Sequence, residues 1–172
     1  YYDRITLIGW SLGWQYGVCV RGESFEPFRN ALSRSKLVVT FNGTLFDLPF
    51  LKAEFPDLLI PLPHVDIRFL ARRAGYAGGQ KQIEKQIGIK RPTGIVDLNG
   101  SEAPILWNQY RRGNLDALRT LIEYNHADIE GMKAILDHVV RQLVRDQNLP
   151  TCLLPQRWFA EFHSPLEWSR DR

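Results

Sequence analysis

One long segment, Leu115–Val144, constrains the fold of this chain more than any other feature. Its apolar residues recur at helical spacing, which predicts a single amphipathic helix with one apolar stripe. Between Ile122 and Ile129 the stripe is interrupted by polar residues, namely Tyr124, Asn125, His126 and Asp128. We therefore expect this face of the helix to turn towards something polar at that point.

Short strand-like segments precede this helix. Ile5–Trp10 and Tyr16–Val20 flank Ser11-Leu12-Gly13, a pattern that predicts a β-hairpin with glycine in or near its turn. Lys36–Phe41 is rich in β-branched residues and predicts a strand buried on both faces, as in a central or parallel position. His64–Asp66 is a further short strand candidate.

Helical patterns connect and follow these strands. They cover Ser24–Leu32, Thr44–Phe55, Ile67–Ala74, Gln80–Ile87 and Glu102–Arg112. Strands come first, then a helix, another strand and a series of helices. This order predicts an α/β fold with a mixed central sheet flanked by helices.

The length and composition fit one globular domain. The chain has 172 residues, of which 44% are apolar and 24% charged. No apolar run approaches the roughly 20 residues that span a bilayer, and no signal-peptide pattern opens the chain, so we expect no membrane partner. We place the domain at 1–148. The irregular tail at 149–172, rich in proline and aromatic residues, would pack on the domain or on an additional domain or subunit.

The cysteines and the first residues bear on the setting of the domain. Cys19 and Cys152 do not make a disulfide framework, and Cys19 lies in an apolar run that predicts a buried small side chain. These features fit a reducing cytoplasm. Because the chain lacks an initial methionine and a strand-like run begins almost at once, we interpret its N-terminus as truncated.

The first candidate for chemistry is the segment Asn42-Gly43-Thr44-Leu45-Phe46-Asp47. A buried strand runs into Asn42-Gly43, and Asp47 follows in the first turn of the next helix. Such a carboxylate lies at the carboxyl edge of a sheet, where α/β folds bind ligands. The alternative is a capping arrangement, in which Thr44 caps the helix and Asp47 stabilises its amino end.

The second candidate is the pair formed by Tyr124 and Asp128. Residues four apart on a helix share one face, and this pair falls where the apolar stripe is broken. A carboxylate there could bind a metal ion, and the phenol could hold or deprotonate a water molecule. The alternative is a solvated helix surface with Tyr124 at the margin of the core.

The third feature is a basic stretch between Arg68 and Arg91. It carries Arg68, Arg72, Arg73, Lys81, Lys85, Lys90 and Arg91 against only Glu84. Although the net charge of the chain is only +3, a local cluster of this kind could follow a phosphate backbone. The alternative is a set of solvated helix faces.

Together these motifs resemble the DEDD (DnaQ-like, DEDDy-type) 3′–5′ exonuclease superfamily, and within it the RNase H-like domain of the YprB group. The exonuclease domain of family-B DNA polymerases is the best-known relative. The second motif of that family is matched by Asn42–Leu51 throughout, and its third motif, Tyr-x-x-x-Asp, by Tyr124–Asp128. The resemblance extends over roughly Ile5–Leu143 and implies an RNase H-like fold.

The resemblance also implies roles for individual residues. Asp47 and Asp128 would be two of four carboxylates that bind Mg²⁺ or Mn²⁺ in a two-metal site, and Tyr124 would orient the attacking water. Asn42 and Phe46 would shape the pocket for the terminal nucleotide of a single-stranded DNA or RNA 3′ end. Independently of the resemblance, the basic stretch suggests that Arg72 and Arg73 contact its phosphates. The family thus predicts a metal-dependent exonuclease.

One part of the family pattern is absent from this chain. The first motif, Asp-x-Glu on the first strand, has no match, because Asp3 has no glutamate two residues later. We therefore expect the first strand to be missing or truncated and the metal site to be incomplete. The alternative to an exonuclease is a catalytically degenerate module that binds nucleic acid or acts as a scaffold.

Overall fold

A computed structural model describes residues 4–61, 63–95, 98 and 100–154 of the chain. It begins with an antiparallel hairpin of β1, Leu7–Leu12, and β2, Gln15–Val20, in which Leu7 faces Val20. Gly13 turns the chain with a φ of 60°, a conformation that glycine adopts without steric cost. The predicted hairpin is confirmed, with its first strand shifted two residues along the chain.

A parallel strand pair forms the second sheet. Helix α1, Glu26–Arg34, leads to β3, Val38–Thr40, and helix α2, Asp47–Glu54, crosses over to β4, His64–Asp66. Thr40 pairs with Asp66, so both strands end at the same edge. The parallel position predicted for β3 is confirmed, but its residues are half-buried rather than fully buried.

The remaining elements are helical. Helices α3, Ile67–Arg73, and α4, Gln80–Gln86, follow β4, and α5, Ala103–Arg111, precedes the 32-residue α6, Leu115–Asp146. Asn114 caps α6 by accepting hydrogen bonds from two backbone N–H groups of its first turn. A short 3₁₀ turn, Thr151–Leu153, opens the predicted tail, and 155–172 lie outside the described residues.

The core lies between α6 and the helices that pack across it. Its buried residues come from α3, the turn after it, α4 and the second half of α6, namely Ile67, Ala71, Ala74, Ile83, Ile135, Leu136 and Val139. Val39 and Phe41 pack against this cluster from the end of β3. Cys19 is 2% exposed, which confirms the predicted buried thiol.

The hairpin contacts an earlier part of α6. The Tyr16 hydroxyl lies 2.9 Å from Asn125 Oδ1, to which it donates, and the backbone at Gly9 lies directly against the Asn125 side chain. Within the described residues the hairpin and the parallel pair are two separate sheets rather than the one mixed central sheet that was predicted, because no strand of one is hydrogen-bonded to a strand of the other. The α/β class, with helices flanking the strands, is as predicted.

No helix in the described parts of the chain combines the length and the apolar character that crossing a bilayer requires.

Candidate functional site

Asp66 organises the edge at which β3 and β4 end. Its carboxylate is buried and accepts hydrogen bonds from the backbone N–H groups of Asn42, Thr44 and Arg68, at 2.7, 3.0 and 3.1 Å. Burial alone would raise the pKa of Asp66, but the hydrogen bonds from Thr44, Asn42 and Arg68 outweigh it and hold that pKa below its usual value. The single carboxylate of Asp66 therefore both fixes the turn after β3 and caps α3.

The sequence reasoning above missed Asp66. The signal was present, because an aspartate directly before a helical pattern is a frequent N-cap. Its second contact, across the sheet edge to the turn after β3, joins positions more than twenty residues apart and cannot be read from local spacing.

The turn held by Asp66 begins with Asn42. This residue has a φ of 61°, a left-handed conformation that asparagine tolerates better than most residues. Its side-chain oxygen accepts a hydrogen bond of 2.6 Å from Arg68 Nη1. Arg68 is thus the member of the basic stretch that reaches the predicted nucleotide pocket.

The capping alternative for Thr44 is wrong. Helix α2 begins at Asp47, its N-cap is Phe46, and no side chain caps it. The backbone N–H of Thr44 instead donates to Asp66, which holds Thr44 in the turn before the helix. The physical reason is that the Thr44 side chain also hydrogen-bonds to the Asp66 carboxylate, so it is not directed at the N–H groups of the first turn of α2.

Phe46 and Asp47 lie at the surface of this turn. Phe46 is 59% exposed, and its ring lies 4.9 Å from that of Phe50 between centroids. Asp47 is an exposed residue whose carboxyl nevertheless has limited hydration, which raises its pKa, and the nearby charge of Asp66 raises the pKa further. An exposed aromatic ring beside a carboxylate is suited to stacking a base next to a charged centre.

A second polar cluster surrounds Tyr124 and Asp128 on α6. The two basic side chains that face them come from α4 and the loop after it. Lys81 Nζ lies 4.7 Å from the centroid of the Tyr124 ring, and the Arg91 guanidinium carbon lies 5.9 Å from it. At the break in the apolar stripe, Tyr124 and Asp128 therefore face two basic side chains rather than solvent.

Arg91 joins two carboxylates in this cluster. Its Nε and Nη2 lie 2.6 and 2.7 Å from the two oxygens of Glu84, and its Nη1 lies 2.6 Å from Asp128 Oδ1. The side chains of Arg91 and Glu84 are 6% and 3% exposed, whereas that of Asp128 is 31% exposed. Arg91 and Glu84 thus form a buried, bidentate ion pair that presents one more N–H edge to Asp128.

The protonation behaviour of the cluster follows from this burial. Burial raises the pKa of the Asp128 carboxyl, and the charge of Arg91 opposes that shift without cancelling it. Burial, assisted by the charge of Asp128, raises the pKa of the Tyr124 phenol to about 12. Tyr124 is therefore protonated at neutral pH, so it can donate a hydrogen bond but is a poor general base.

Lys81 has an unusual environment for an amine. Its Nζ is buried and has no hydrogen-bond acceptor among the described residues. Burial and then the charge of Arg91 lower the pKa of Lys81, while Asp128 and Glu84 act in the opposite direction. The ammonium group is stabilised mainly by the Tyr124 ring and by charges at longer range.

Gln80 and Gly131 support the buried ion pair. Gln80 Nε2 donates to Glu84 Oε1 at 2.8 Å and to the backbone oxygen of Asp128 at 2.6 Å. Gly131, one turn after Asp128, leaves the space that the Glu84 carboxylate fills. These contacts fix Glu84, and through it Arg91, against α6.

Gly131→Ala should destabilise the protein by about 1–3 kcal/mol, although alanine is the better helix former. Its Cβ would collide with Glu84 Oε1 and would lie 2.9 Å from Glu84 Cδ and 3.0 Å from Gln80 Nε2. Urea unfolding measures the change. Gly94→Ala is a loop control for the added methyl group, because apart from its chain neighbours no described atom lies within 4 Å of a Cβ there. A stabilised Gly131→Ala variant would contradict the proposed crowding.

The other predicted site residues lie apart from both clusters. Arg72 and Arg73 are exposed in the last turn of α3, whereas Asp66 caps its first turn. Helix α3 has 7 residues and is about 10 Å long, so these arginines lie at its opposite end from Asn42. Their role in binding phosphates stays a prediction. His126 is half-buried, with its ring 4.4 Å from that of Tyr16.

The described carboxylates do not by themselves fit a pair of divalent ions. No three histidine, cysteine, aspartate or glutamate side chains come together in the parts of the chain that the structure describes. The carboxylate next to Asp47 is Asp66, whose oxygens are engaged by backbone N–H groups, and Asp128 is paired with Arg91. Asp47 and Asp128 thus have different neighbouring charges, and neither has a second free carboxylate beside it among the described residues.

Comparison with known proteins places this arrangement in a family. No curated protein and no solved structure matches the chain. A family model, RNase_H_2, described as RNase_H superfamily, matches residues 20–140, which include β3, α2, β4 and both polar clusters. This match spans more than half of the chain, and the chain therefore belongs to the RNase_H superfamily.

Proposed function

We propose that this domain hydrolyses phosphodiester bonds at nucleic-acid ends, as a 3′–5′ exonuclease. The observation that carries the proposal is the position of Tyr124 and Asp128. They share one half-buried face of α6 and are faced by Lys81 from α4 and Arg91 from the loop after it, in a chain of the RNase_H superfamily. A carboxylate, a protonated phenol and two cations are suited to a reaction at a phosphate group.

The substrate of the proposed reaction is a single-stranded 3′ end of DNA or RNA. Arg68 supplies positive charge beside Asn42, which favours a phosphate backbone, whereas the charges of Lys81 and Arg91 are balanced by Glu84 and Asp128. The exposed Phe46 ring offers a surface on which a terminal base could stack. Neither feature distinguishes DNA from RNA, since neither contacts a base edge or a 2′-hydroxyl.

The proposal includes Mg²⁺ or Mn²⁺, which would neutralise charge on the attacking and leaving oxygens. Asp47 and Asp128 would each contribute a carboxylate, and further acidic ligands would have to join them. Tyr124, protonated at neutral pH, would orient a water molecule or a phosphate oxygen by donating a hydrogen bond. The proposed setting is the cytoplasm, and the tail at 149–172 is proposed to contact another domain or subunit.

Asp128→Ala should reduce Mn²⁺-dependent degradation of end-labelled single-stranded DNA and RNA by at least about 100-fold, the scale on which single groups contribute to catalysis. Asp47→Ala should have an effect of the same order. The matched control is Asp116→Ala, also on α6, because the Asp116 side chain is 83% exposed and pairs only with an exposed arginine among its described contacts. Degradation that survives Asp128→Ala would reject the proposed site.

A second candidate function is binding of nucleic acid without hydrolysis. The observation that favours it is the ion pair between Arg91 and Asp128, which occupies one oxygen of the carboxylate that would bind metal. This function predicts binding whose affinity falls steeply as the salt concentration rises, with no cleavage in Mg²⁺ or Mn²⁺. Metal-dependent loss of the labelled end, measured on the same oligonucleotide, would exclude it.

A further inference from the structure

We propose that a groove beside α5 binds a single strand of nucleic acid outside the two polar clusters, by contacts between arginines and phosphates and by stacking on Trp107. The inference rests on the proposed function only for the class of ligand. None of the groove residues is among those predicted from the family resemblance. It would extend the substrate interface beyond the residues that surround the reacting phosphate.

The groove lies between α5 and the strand ends of the hairpin. Its volume is about 580 Å³. The residues that line it combine cations, aromatic rings and one glycine, namely Arg4, Arg21, Trp107, Tyr110, Arg111 and Gly113. This composition differs from that of an apolar docking groove, because half of the lining residues carry a positive charge.

The aromatic part of the groove is a pair of rings. The Trp107 and Tyr110 rings have centroids 5.3 Å apart and are inclined by 51°, so they support one another at an angle rather than stacking face to face. Both residues are half-buried and line the groove. An indole held in this way can stack a nucleic-acid base without a preference for sequence.

The charged part of the groove favours an anion. Arg21 is fixed by Glu54, 2.7 Å from its Nη2, and by the backbone oxygen of Ile5, 2.6 Å from its Nε. Arg4 and Arg111 are exposed, and no acidic residue is among the described residues that line the groove. Glu54 offsets one of the three guanidinium charges. The groove therefore retains positive charge for phosphates, which a guanidinium contacts well.

The groove is close enough to the Tyr124 cluster to serve the same strand. The charge of Glu102, the N-cap of α5, acts on Lys81, so the start of α5 lies near that cluster. Trp107 follows five residues later, about 7–8 Å along the helix. A strand that stacks on Trp107 would thus run along α5 towards the Tyr124 cluster, in which Lys81 Nζ is buried and Tyr124 and Asp128 are half-buried.

The test measures binding of fluorescein-labelled oligo(dT) and oligo(U) by anisotropy in EDTA, over a series of salt concentrations. Arg111→Glu should weaken binding at least about tenfold and lower the slope of log K against log salt by about 0.7 for each lost phosphate contact. Trp107→Ala should weaken binding by a similar factor, and Trp107→Phe should restore most of it. Arg34→Glu, the same charge change on an exposed turn of α1, should stay within twofold of the parent.

Circular dichroism of each variant establishes whether it is folded. If Trp107→Ala does not fold, the result for Arg111→Glu, a substitution at an exposed position, decides whether the groove binds nucleic acid. If Arg111→Glu and Arg34→Glu weakened binding equally, binding would depend on the net charge of the protein and not on the groove, which would overturn the inference. Unchanged binding in both Arg111→Glu and Trp107→Ala would also overturn it. Because binding is measured in EDTA, where no metal-dependent hydrolysis takes place, these outcomes do not depend on whether the domain is an exonuclease. Conversely, if the groove does not bind nucleic acid, the expected effect of Asp128→Ala on degradation is unchanged.

Discussion

Arg91→Met should lower the free energy of unfolding by about 3–5 kcal/mol, because it removes the only cation within bonding distance of Glu84 in the described structure and leaves that buried carboxylate with the neutral Gln80 amide as its partner. Glu84 is 2% exposed, so water cannot replace the lost partner. Methionine keeps much of the arginine volume, which limits any contribution from a new cavity. Urea or guanidinium unfolding at pH 7 measures the difference.

Two controls separate charge from packing in this experiment. Arg119→Met removes an ion pair with Asp116 whose side chains are 71% and 83% exposed, and it should change stability by less than about 1 kcal/mol. The double variant Arg91→Met with Glu84→Met removes both buried charges and should recover most of the loss. An Arg91→Met protein within 1 kcal/mol of the parent, an estimated threshold for an exposed pair, would contradict the buried ion pair.

Asp66→Ala should be the second most destabilising substitution, with a loss of about 2–4 kcal/mol. It removes the acceptor of three backbone N–H groups and the N-cap of α3 in a single change. The turn that carries Asn42 should loosen as well, because Asn42 and Thr44 are held to the sheet edge through that carboxylate. Asp66→Asn keeps one carbonyl acceptor and should lose less stability.

The pH dependence of the Asp66 contribution has a definite sign. The folded protein holds the pKa of Asp66 below its usual value, so the unfolded chain binds the proton more readily. The contribution is complete above the unfolded pKa of about 3.9 and is lost as the pH falls through the folded pKa. The stability difference between the parent and Asp66→Asn should therefore narrow from pH 7 to pH 3. A constant difference would show that the carboxylate charge is not involved.

Local sequence patterns were sufficient to predict most secondary-structure elements, and they also predicted that Tyr124 and Asp128 share one face of α6. The hairpin, β3 and β4 and the long α6 follow from strand composition, glycine positions and helical spacing, all of which act within a few residues. Asn42-Gly43 marked the end of β3 because asparagine and glycine accept left-handed backbone, and Asn42 has a φ of 61°. The pairing of Tyr124 with Asp128 follows from the helical repeat alone.

The partners of these residues could not be predicted in the same way. Arg91 reaches Glu84 and Asp128 because the loop after α4 folds back onto α6, and the second of these contacts joins positions 37 residues apart in sequence. The basic stretch was visible, but its spacing could not show that Lys81 and Arg91 face inward while Arg72 and Arg73 are exposed. Those outcomes depend on tertiary packing, which local propensity does not encode.

The contact between Gly9 and Asn125 has a mechanical consequence for the cluster around Tyr124. A side chain at position 9 would strike the Asn125 amide, with 2.7 Å between its Cβ and Asn125 Cγ, so the hairpin lies against α6 with no spare room. Asn125 follows Tyr124 directly and lies in the same turn as Asp128. That single turn of α6 is in contact on two sides, with the hairpin on one side and with Arg91, in the loop after α4, on the other. A displacement of either the hairpin or the loop after α4 would therefore move Tyr124 and Asp128 together as one rigid body.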